Sequence, residues 1–242
     1  MKKRLNILVL LTLMVSSCSW LDITPSNIVT EPDLFSEAAG FHNAINGLYR
    51  GMAQPELYGR EMTYGFAEVL SQNYVKKGSY GQGIGQYSPY YTLFDYDYAG
   101  VQDVKDIIDG IWSSSYNVIA NANNIIVNIE KMQPSDFNKG QEEINLIKGE
   151  ALAVRAMLHF DILRLFAPAP VTGDNGSYIP YVTEFPYYGG QAKETVESIL
   201  GKVEKDLLEA KELIGSFDSD SENIENLQEF NRFTLGTGVS NS

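Results

Sequence analysis

Residues 141–166 read QEEINLIKGEALAVRAMLHFDILRLF, and this stretch decides the fold class. Ile144, Ile147, Ala151, Val154, Leu158, Ile162 and Leu165 recur at intervals of three and four. That rhythm gathers them on one face of an α-helix. Pro168 and Pro170 follow. Proline has no amide hydrogen to extend the ladder, so the spacing predicts a helix over 141–166 that ends there.

The same rhythm extends in both directions. Upstream, Val104, Ile108, Ile111, Ser115, Val118, Ala122, Ile125, Ile129 and Met132 predict a helix over 102–132, with Pro134 just past its end. A helix of that length reaches about 45 Å. Further upstream, Leu34, Ala38, Phe41, Ile45, Leu48 and Met52 predict a helix over 33–53, with Asp33 placed to cap it. Residues 56–75 carry a weaker helical pattern, with Met62, Phe66, Val69 and Leu70 as buried candidates. Downstream, Val196, Ile199, Leu200, Val203, Leu207 and Ile214 predict a helix over 195–214 with these side chains inward, stopped by Gly215. Residues 167–191 read as loop or short strand, and 216–231 as an acidic, solvated loop. Long helices without a run of alternating strands make the chain mainly α. Their pairing points to tetratricopeptide-like helical hairpins with long loops, although no clean 34-residue period is visible.

The chain opens with an export signal. Lys2, Lys3 and Arg4 precede a mostly apolar run, Leu5 to Val15, and then Ser16, Ser17 and the sole cysteine, Cys18. This is the charged, apolar, small-residue order of a secretory signal peptide. The run is shorter than the ~20 residues that span a bilayer. Val15-Ser16-Ser17-Cys18 resembles the bacterial lipobox. That resemblance makes residues 1–17 a signal peptide and Cys18 a lipidated residue. Two or more acyl chains anchor stably where one does not. Residues 18–32, with Pro25 and Pro32, read as the tether, and 33–242 as the folded part.

Charge narrows the partners. Without Lys2, Lys3 and Arg4 the 18 basic residues become 15 against 31 acidic, a net charge of −16. Nucleic acid calls for a basic patch, and an acidic chain is repelled by anionic headgroups. Membrane attachment therefore falls to lipid. The usual catalytic constellations are absent: no Gly-x-Ser-x-Gly elbow, no His-Glu-x-x-His, and no thiol left once Cys18 is lipidated. His42 and His159 each sit within helical pattern, where a lone histidine is most often packed. The chain reads as a non-enzyme, with a glycosidase ranked last. No cofactor is called for. Calcium has two imperfect spacings, Asp218, Asp220, Glu222, Glu229 and Asp95, Asp97, Asp106, set against plain acidic loops.

Residues 78–100 are the better binding candidate. Six glycine or proline positions interrupt any regular element, and tyrosines crowd the same stretch. A long loop of this kind is uncommon in compact domains and often functional. Sugar rings have an apolar C–H face, which suits tyrosine's flat ring and polar tip. Tyr87, Tyr90, Tyr91, Tyr96 and Tyr98 are the candidate stacking residues, with Gln82, Gln86, Asp95 and Asp97 available to hydroxyls. Packing of the loop onto the helices is the competing role for each tyrosine.

Five segments in order resemble the SusD/RagB-like family. They are Cys18-Ser19-Trp20-Leu21-Asp22-Ile23-Thr24-Pro25; Ala44-Ile45-Asn46-Gly47-Leu48-Tyr49; Ile111-Trp112, Tyr116, Ile119 and Asn121-Ala122-Asn123; Gly149-Glu150-Ala151, Arg155-Ala156 and Phe160 to Pro170; and Ile199, Asp206-Leu207 and Ala210. The resemblance implies a SusD-like α-α superhelix and a lipid-anchored place on the outer membrane, surface-exposed. It implies capture of oligosaccharide for a TonB-dependent SusC-like transporter, in a polysaccharide-utilisation system. The alternative is a helical protein-interaction module that joins such a transporter without binding glycan. On the long helices, Trp112, Tyr116, Glu150 and Arg155 are assigned to packing and internal hydrogen bonds. Arg232 to Thr237 resembles the start of a further family helix, and family members run about twice this length. The resemblance thus covers the family's N-terminal portion, and a helical stack cut there exposes an apolar face.

Overall fold

The computed structural model describes residues 31–77, 81–98, 100–186 and 188–218. The signal peptide, Cys18, the tether as far as residue 30 and the acidic stretch beyond Asp218 lie outside them; the last two residues of the expected tether, Glu31 and Pro32, open the first helix. The elements are α1 (Glu31–Leu34), α2 (Ala38–Met52), α3 (Phe66–Leu70), α4 (Pro89–Leu93), α5 (Gln102–Ile129), α6 (Gln141–Phe166), β1 (Ser177–Ile179), β2 (Glu194–Thr195) and α7 (Val196–Asp218). The chain is mainly α, built of stacked helix pairs. One short ribbon joins Ser177 to Thr195 and Ile179 to Glu194, antiparallel, with a bulge between.

α6 is the centre. Its bounds agree with the apolar spacing, but its burial does not stay on one face. Leu146, Leu152, Ala156 and Leu163 are buried alongside the expected Ile147, Ala151 and Leu158. The reason is that α5 packs on one side and α7 on another, with α2 against both α5 and α6. At Gly149 a Cβ would lie 2.6 Å from the Ile214 side chain and 3.2 Å from the Ala210 carbonyl. That glycine lets α6 and α7 approach closely.

Several expectations are corrected. The helix expected over 33–53 breaks into α1 and α2. Phe35 folds back to meet Phe41 with ring centres 4.9 Å apart, and Phe41 meets Phe137 at 5.8 Å. Six residues apart on an unbroken helix, Phe35 and Phe41 would point about 120° apart. Asp33 does not cap α2; Glu37 holds that position and makes no side-chain cap bond. Residues 53–65 form successive turns, and only α3 is helical in the weakly periodic stretch. The glycine-rich loop holds one further helical turn, α4. The long α5 ends at Ile129, before a 3-10 turn at Pro134–Asp136. Gly215 does not stop α7, which continues to Asp218. A glycine inside a helix costs only about 1 kcal/mol against alanine, so it punctuates only weakly. Leu207 points outward, because α7 packs through Ile199, Val203, Asp206 and Ala210.

A buried polar node ties the three long helices together. On α6, Arg155 Nε donates to Asp206 Oδ2 of α7 at 2.7 Å, and its Nη1 donates to Asn123 Oδ1 of α5 at 3.0 Å. Tyr181 O–H donates to the same Asp206 oxygen at 2.6 Å. Asn123 Nδ2 donates to the Val182 carbonyl at 3.0 Å, and the Val182 amide donates to His159 Nε2 at 2.9 Å. An acceptor at Nε2 leaves the proton on Nδ1, which donates to the Arg155 carbonyl at 2.8 Å. The neutral imidazole stacks on Tyr181 with centres 4.0 Å apart. Burial holds its pKa down at about 4. The tyrosine hydroxyl is pushed above its usual range by burial and by Asp206.

Two outcomes follow from this node. Arg155→Leu leaves the buried Asp206 with the Tyr181 hydroxyl but without its countercharge, and lowers the unfolding free energy by about 3–5 kcal/mol in urea titration; adding Asp206→Leu recovers part of the loss. His159 binds its proton more readily unfolded than folded. Stability therefore holds above pH 6.5 and falls as pH drops toward 4, by about 3 kcal/mol across that window. His159→Gln keeps an acceptor for Val182 but does not titrate, so the difference between wild type and variant in thermal melts narrows over the same window.

Candidate functional site

The tyrosine-rich loop is pinned to the segment before it. Lys77 donates its amide to the Ile84 carbonyl at 2.8 Å, and Ile84 donates to the Val75 carbonyl at 2.8 Å. Between them Gly83 adopts φ +108°, where a Cβ would lie 2.3 Å from the Val75 carbonyl oxygen. Only glycine fits that approach. Ser88 caps α4 through the Tyr90 amide at 3.3 Å, and Pro89 follows at the first helical position. Gln72 Nε2 donates to the Phe94 carbonyl at 2.9 Å.

The five candidate tyrosines divide. Tyr90 turns inward and donates its hydroxyl to Glu61 Oε1 and Oε2 at 2.8 and 3.0 Å. Glu61, 1% exposed, also accepts from Arg60 Nε at 2.6 Å and from the Phe66 amide at the start of α3 at 3.0 Å. Burial and that carboxylate push the Tyr90 hydroxyl above its usual range. Tyr91 is half-buried beneath Lys76, whose Nζ lies 3.9 Å from the ring centre and pairs with Asp95. Tyr96 takes φ +60° and donates to the Leu70 carbonyl at 3.0 Å, with its ring largely outside. Tyr87 is 94% exposed and Tyr98 41%. Partial burial, with Tyr96 close by, raises the Tyr98 pKa, so its hydroxyl stays protonated at neutral pH.

Sequence reasoning missed two exposed tyrosines of the segment just before the loop, and Tyr188 far from it. Tyr64 donates to the Gly59 carbonyl at 2.8 Å, and Tyr74 donates to the Tyr64 carbonyl at 2.6 Å. Both lie on the segment to which the loop is pinned. They fall off the apolar spacing of Met62, Phe66, Val69 and Leu70, which was their one visible signal. The result is a frame held by backbone bonds and one buried carboxylate, with flat aromatic surface outward. Such a surface can stack on apolar ring faces, and phenolic hydroxyls at its edge exchange hydrogen bonds with hydroxyls.

Other motif residues are occupied elsewhere. Trp112 meets Phe166 edge-on at 5.0 Å, and Tyr116 donates to the Pro180 carbonyl at 3.0 Å. Tyr49 donates to Glu150 Oε2 at 3.4 Å. Of the second calcium spacing, Asp95 turns to Lys76 and Asp106 accepts from Gln102 Nε2 at 2.7 Å. The other spacing lies beyond the described side chains. Among the described residues no three His, Cys, Asp or Glu gather as metal ligands, and no helix is long and apolar enough to cross a membrane.

This architecture has known counterparts. A family model of SusD-like proteins, described as starch-binding associating with outer membrane, matches residues 19–231. The chain is similar to SusD-like protein P2 of Formosa agariphila, 25% identical over 171 residues, covering 70% of this chain and 31% of that one. It is similar in fold to a putative sugar binding protein from Bacteroides vulgatus, with TM-score 0.57 and 24% identity over 73% of this chain and 37% of that one. A SusD homolog from Bacteroides thetaiotaomicron aligns with TM-score 0.51 and 18% identity, over 76% of this chain and 32% of that one. The matched part of this chain covers only about a third of the length of each of these relatives. With the family match running through the tether, all three long helices and the loop, the chain belongs to the SusD-like family.

Proposed function

We propose that this chain is a lipoprotein of the outer-membrane surface, anchored through Cys18, that captures oligosaccharide for a TonB-dependent SusC-like transporter. It acts by binding, not by catalysis. The observation that supports this most directly is the set of outward tyrosine rings on a loop whose base is fixed by Gly83, Tyr90 and Glu61. Tyr87 and Tyr98 offer the exposed rings, Tyr96 a third, and Tyr91 a ring edge beside the Lys76–Asp95 pair. Because the frame is already bonded, little ordering entropy is spent on binding. Family membership supports the surface role, and the chemistry of stacking supports glycan over nucleic acid or anionic lipid at this acidic chain.

A second reading has its own observation. An open apolar groove between α6 and α7 favours a protein-interaction module that joins the transporter assembly without binding glycan itself. The two readings separate by experiment. Titration of the chain with maltoheptaose, and with oligosaccharides of other linkages, is expected to give saturable binding to at least one. Tyr87→Ala and Tyr98→Ala each weaken it by about 3–10-fold with the helical circular-dichroism signal unchanged. Equal affinity in the variants, or flat titrations from a chain that still copurifies with a β-barrel transporter, would reject the glycan reading in favour of the interaction module.

A further inference from the structure

The ionic side chains around the outward tyrosine rings are few and balanced. Between Ser71 and Tyr98 they are Lys76, Lys77, Asp95 and Asp97, which sum to zero. Arg60, the next cation back along the chain, donates to the buried Glu61 at 2.6 Å. Lys76 is held twice. Its Nζ pairs with Asp95, and it lies 3.9 Å from the centre of the Tyr91 ring and 5.8 Å from that of Phe94. The two members of the pair are unequally placed, with the Lys76 side chain 25% exposed and the Asp95 side chain 59%. The outer charge is therefore the carboxylate.

We propose that the Lys76–Asp95 pair makes this loop select neutral oligosaccharides over those carrying uronate or sulfate groups, and that Asp95 is the residue that sets the choice. This selectivity rests on the glycan reading of the same loop. A sugar carboxylate or sulfate needs a cation to dock against. The Lys76 ammonium lies on an aromatic ring of the loop, yet a carboxylate that repels the newcomer covers it. Displacing Asp95 brings no relief, because it exchanges one anionic partner for another and leaves a second anion beside it. A neutral hydroxyl meets no such conflict. An ionised carboxylate only accepts, and while Asp95 Oδ2 faces Lys76, Oδ1 can take a hydroxyl proton with the pair intact.

The hold on Lys76 is firmer than that of an exposed ion pair, which alone contributes little. The ring faces of Tyr91 and Phe94 attract the ammonium as well, so two kinds of contact keep it beside Asp95. Of the remaining charges, Lys77 is exposed, and so is Asp97, which offsets it in sum. No longer-range field draws in a polyanion, because the whole chain carries a formal net charge of −13.

The test uses the full chain carrying Cys18→Ser, at low ionic strength where charge is least screened. It is titrated with maltoheptaose, cellohexaose and mannohexaose, each beside its own derivative in which the primary hydroxyls are oxidised to carboxylates. Each neutral sugar that binds is expected to bind about 10-fold more tightly than its carboxylate derivative. Asp95→Asn is expected to raise affinity for the derivative about 5-fold, and adding Lys76→Met to cancel that gain, with circular dichroism unchanged. Derivatives that bind as tightly as their parents would overturn the selectivity and leave the glycan reading intact. So would an Asp95→Asn chain whose affinity for the derivative does not rise, since the lost hydroxyl, and not the added charge, then accounts for the preference. Flat titrations with every neutral and oxidised sugar would remove the glycan reading, and this selectivity with it.

Discussion

A single charge organises the helical core. The Arg155 guanidinium sits buried on the central helix, and a buried cation is tolerated only when paired and hydrogen-bonded. Asp206 supplies the countercharge from α7, and Asn123 supplies a neutral acceptor from α5. Each contact fixes a rotation as well as a position, since a slip of one residue turns a helical side chain by about 100°. The helix pairs are therefore locked in register by groups that have no good alternative partner. Apolar packing alone tolerates more exchange, because one leucine satisfies a neighbour much as another does. The same node reaches into the irregular chain after α6. His159 and Asn123 hold both polar groups of Val182, and Tyr116 holds the carbonyl of Pro180, so this stretch is ordered by side chains where no sheet is available.

Glu61 repeats the device at the edge of the fold. An ionised carboxylate only accepts, so a buried one must gather donors. It takes them from Arg60, from the first amide of α3 and from Tyr90 on the loop. A helix start, a turn and the loop are thereby joined through one residue. The consequence for binding is a division of labour among side chains of one type. Tyr90 spends its hydroxyl inside, Tyr96 spends its hydroxyl on the Leu70 carbonyl while leaving its ring outside, and Tyr87 presents nearly its whole surface. Composition shows many tyrosines, and only partner geometry separates anchors from contact surface.

That separation marks what was legible in the sequence. The span of α6 was readable to the residue because apolar periodicity, a proline stop and helix propensity agree there. So were the packing roles of Trp112, Tyr116, Glu150 and Arg155, because long-helix positions leave them few other neighbours. Reading failed where a tertiary contact overrode a local signal. Phe35 breaks a periodic helix in order to reach Phe41, and Gly215 continues one that its type predicts should stop. Residues 53–65 defeated the pattern because their backbone groups are satisfied by turn bonds, which have no fixed apolar period. The tyrosine-rich loop was visible as a place. Its wiring was not, because Glu61 lies 29 residues from Tyr90 and no local rule connects them.

Leu207 shows most clearly what an apolar pattern reports. The spacing placed it inward, yet α7 turns Ile199, Val203 and Ala210 to α6 and leaves Leu207 and Leu208 out. Periodicity records a demand for burial, not the identity of the partner that meets it. On α7 that demand is wider than one neighbouring helix can satisfy, since an apolar face covering Leu200, Val203, Leu207 and Leu208 spans more than the seam with α6. Met157 and Phe160 make the matching statement on α6, half a turn from residues that are fully buried. Two helices that each present surplus apolar surface to the same side form a groove by geometry. The outward leucines of α7 are therefore as much a part of the fold's logic as the buried charge pair beneath them: Arg155 and Asp206 fix how these helices meet, and Leu207 and Leu208 wall the groove that the meeting leaves open.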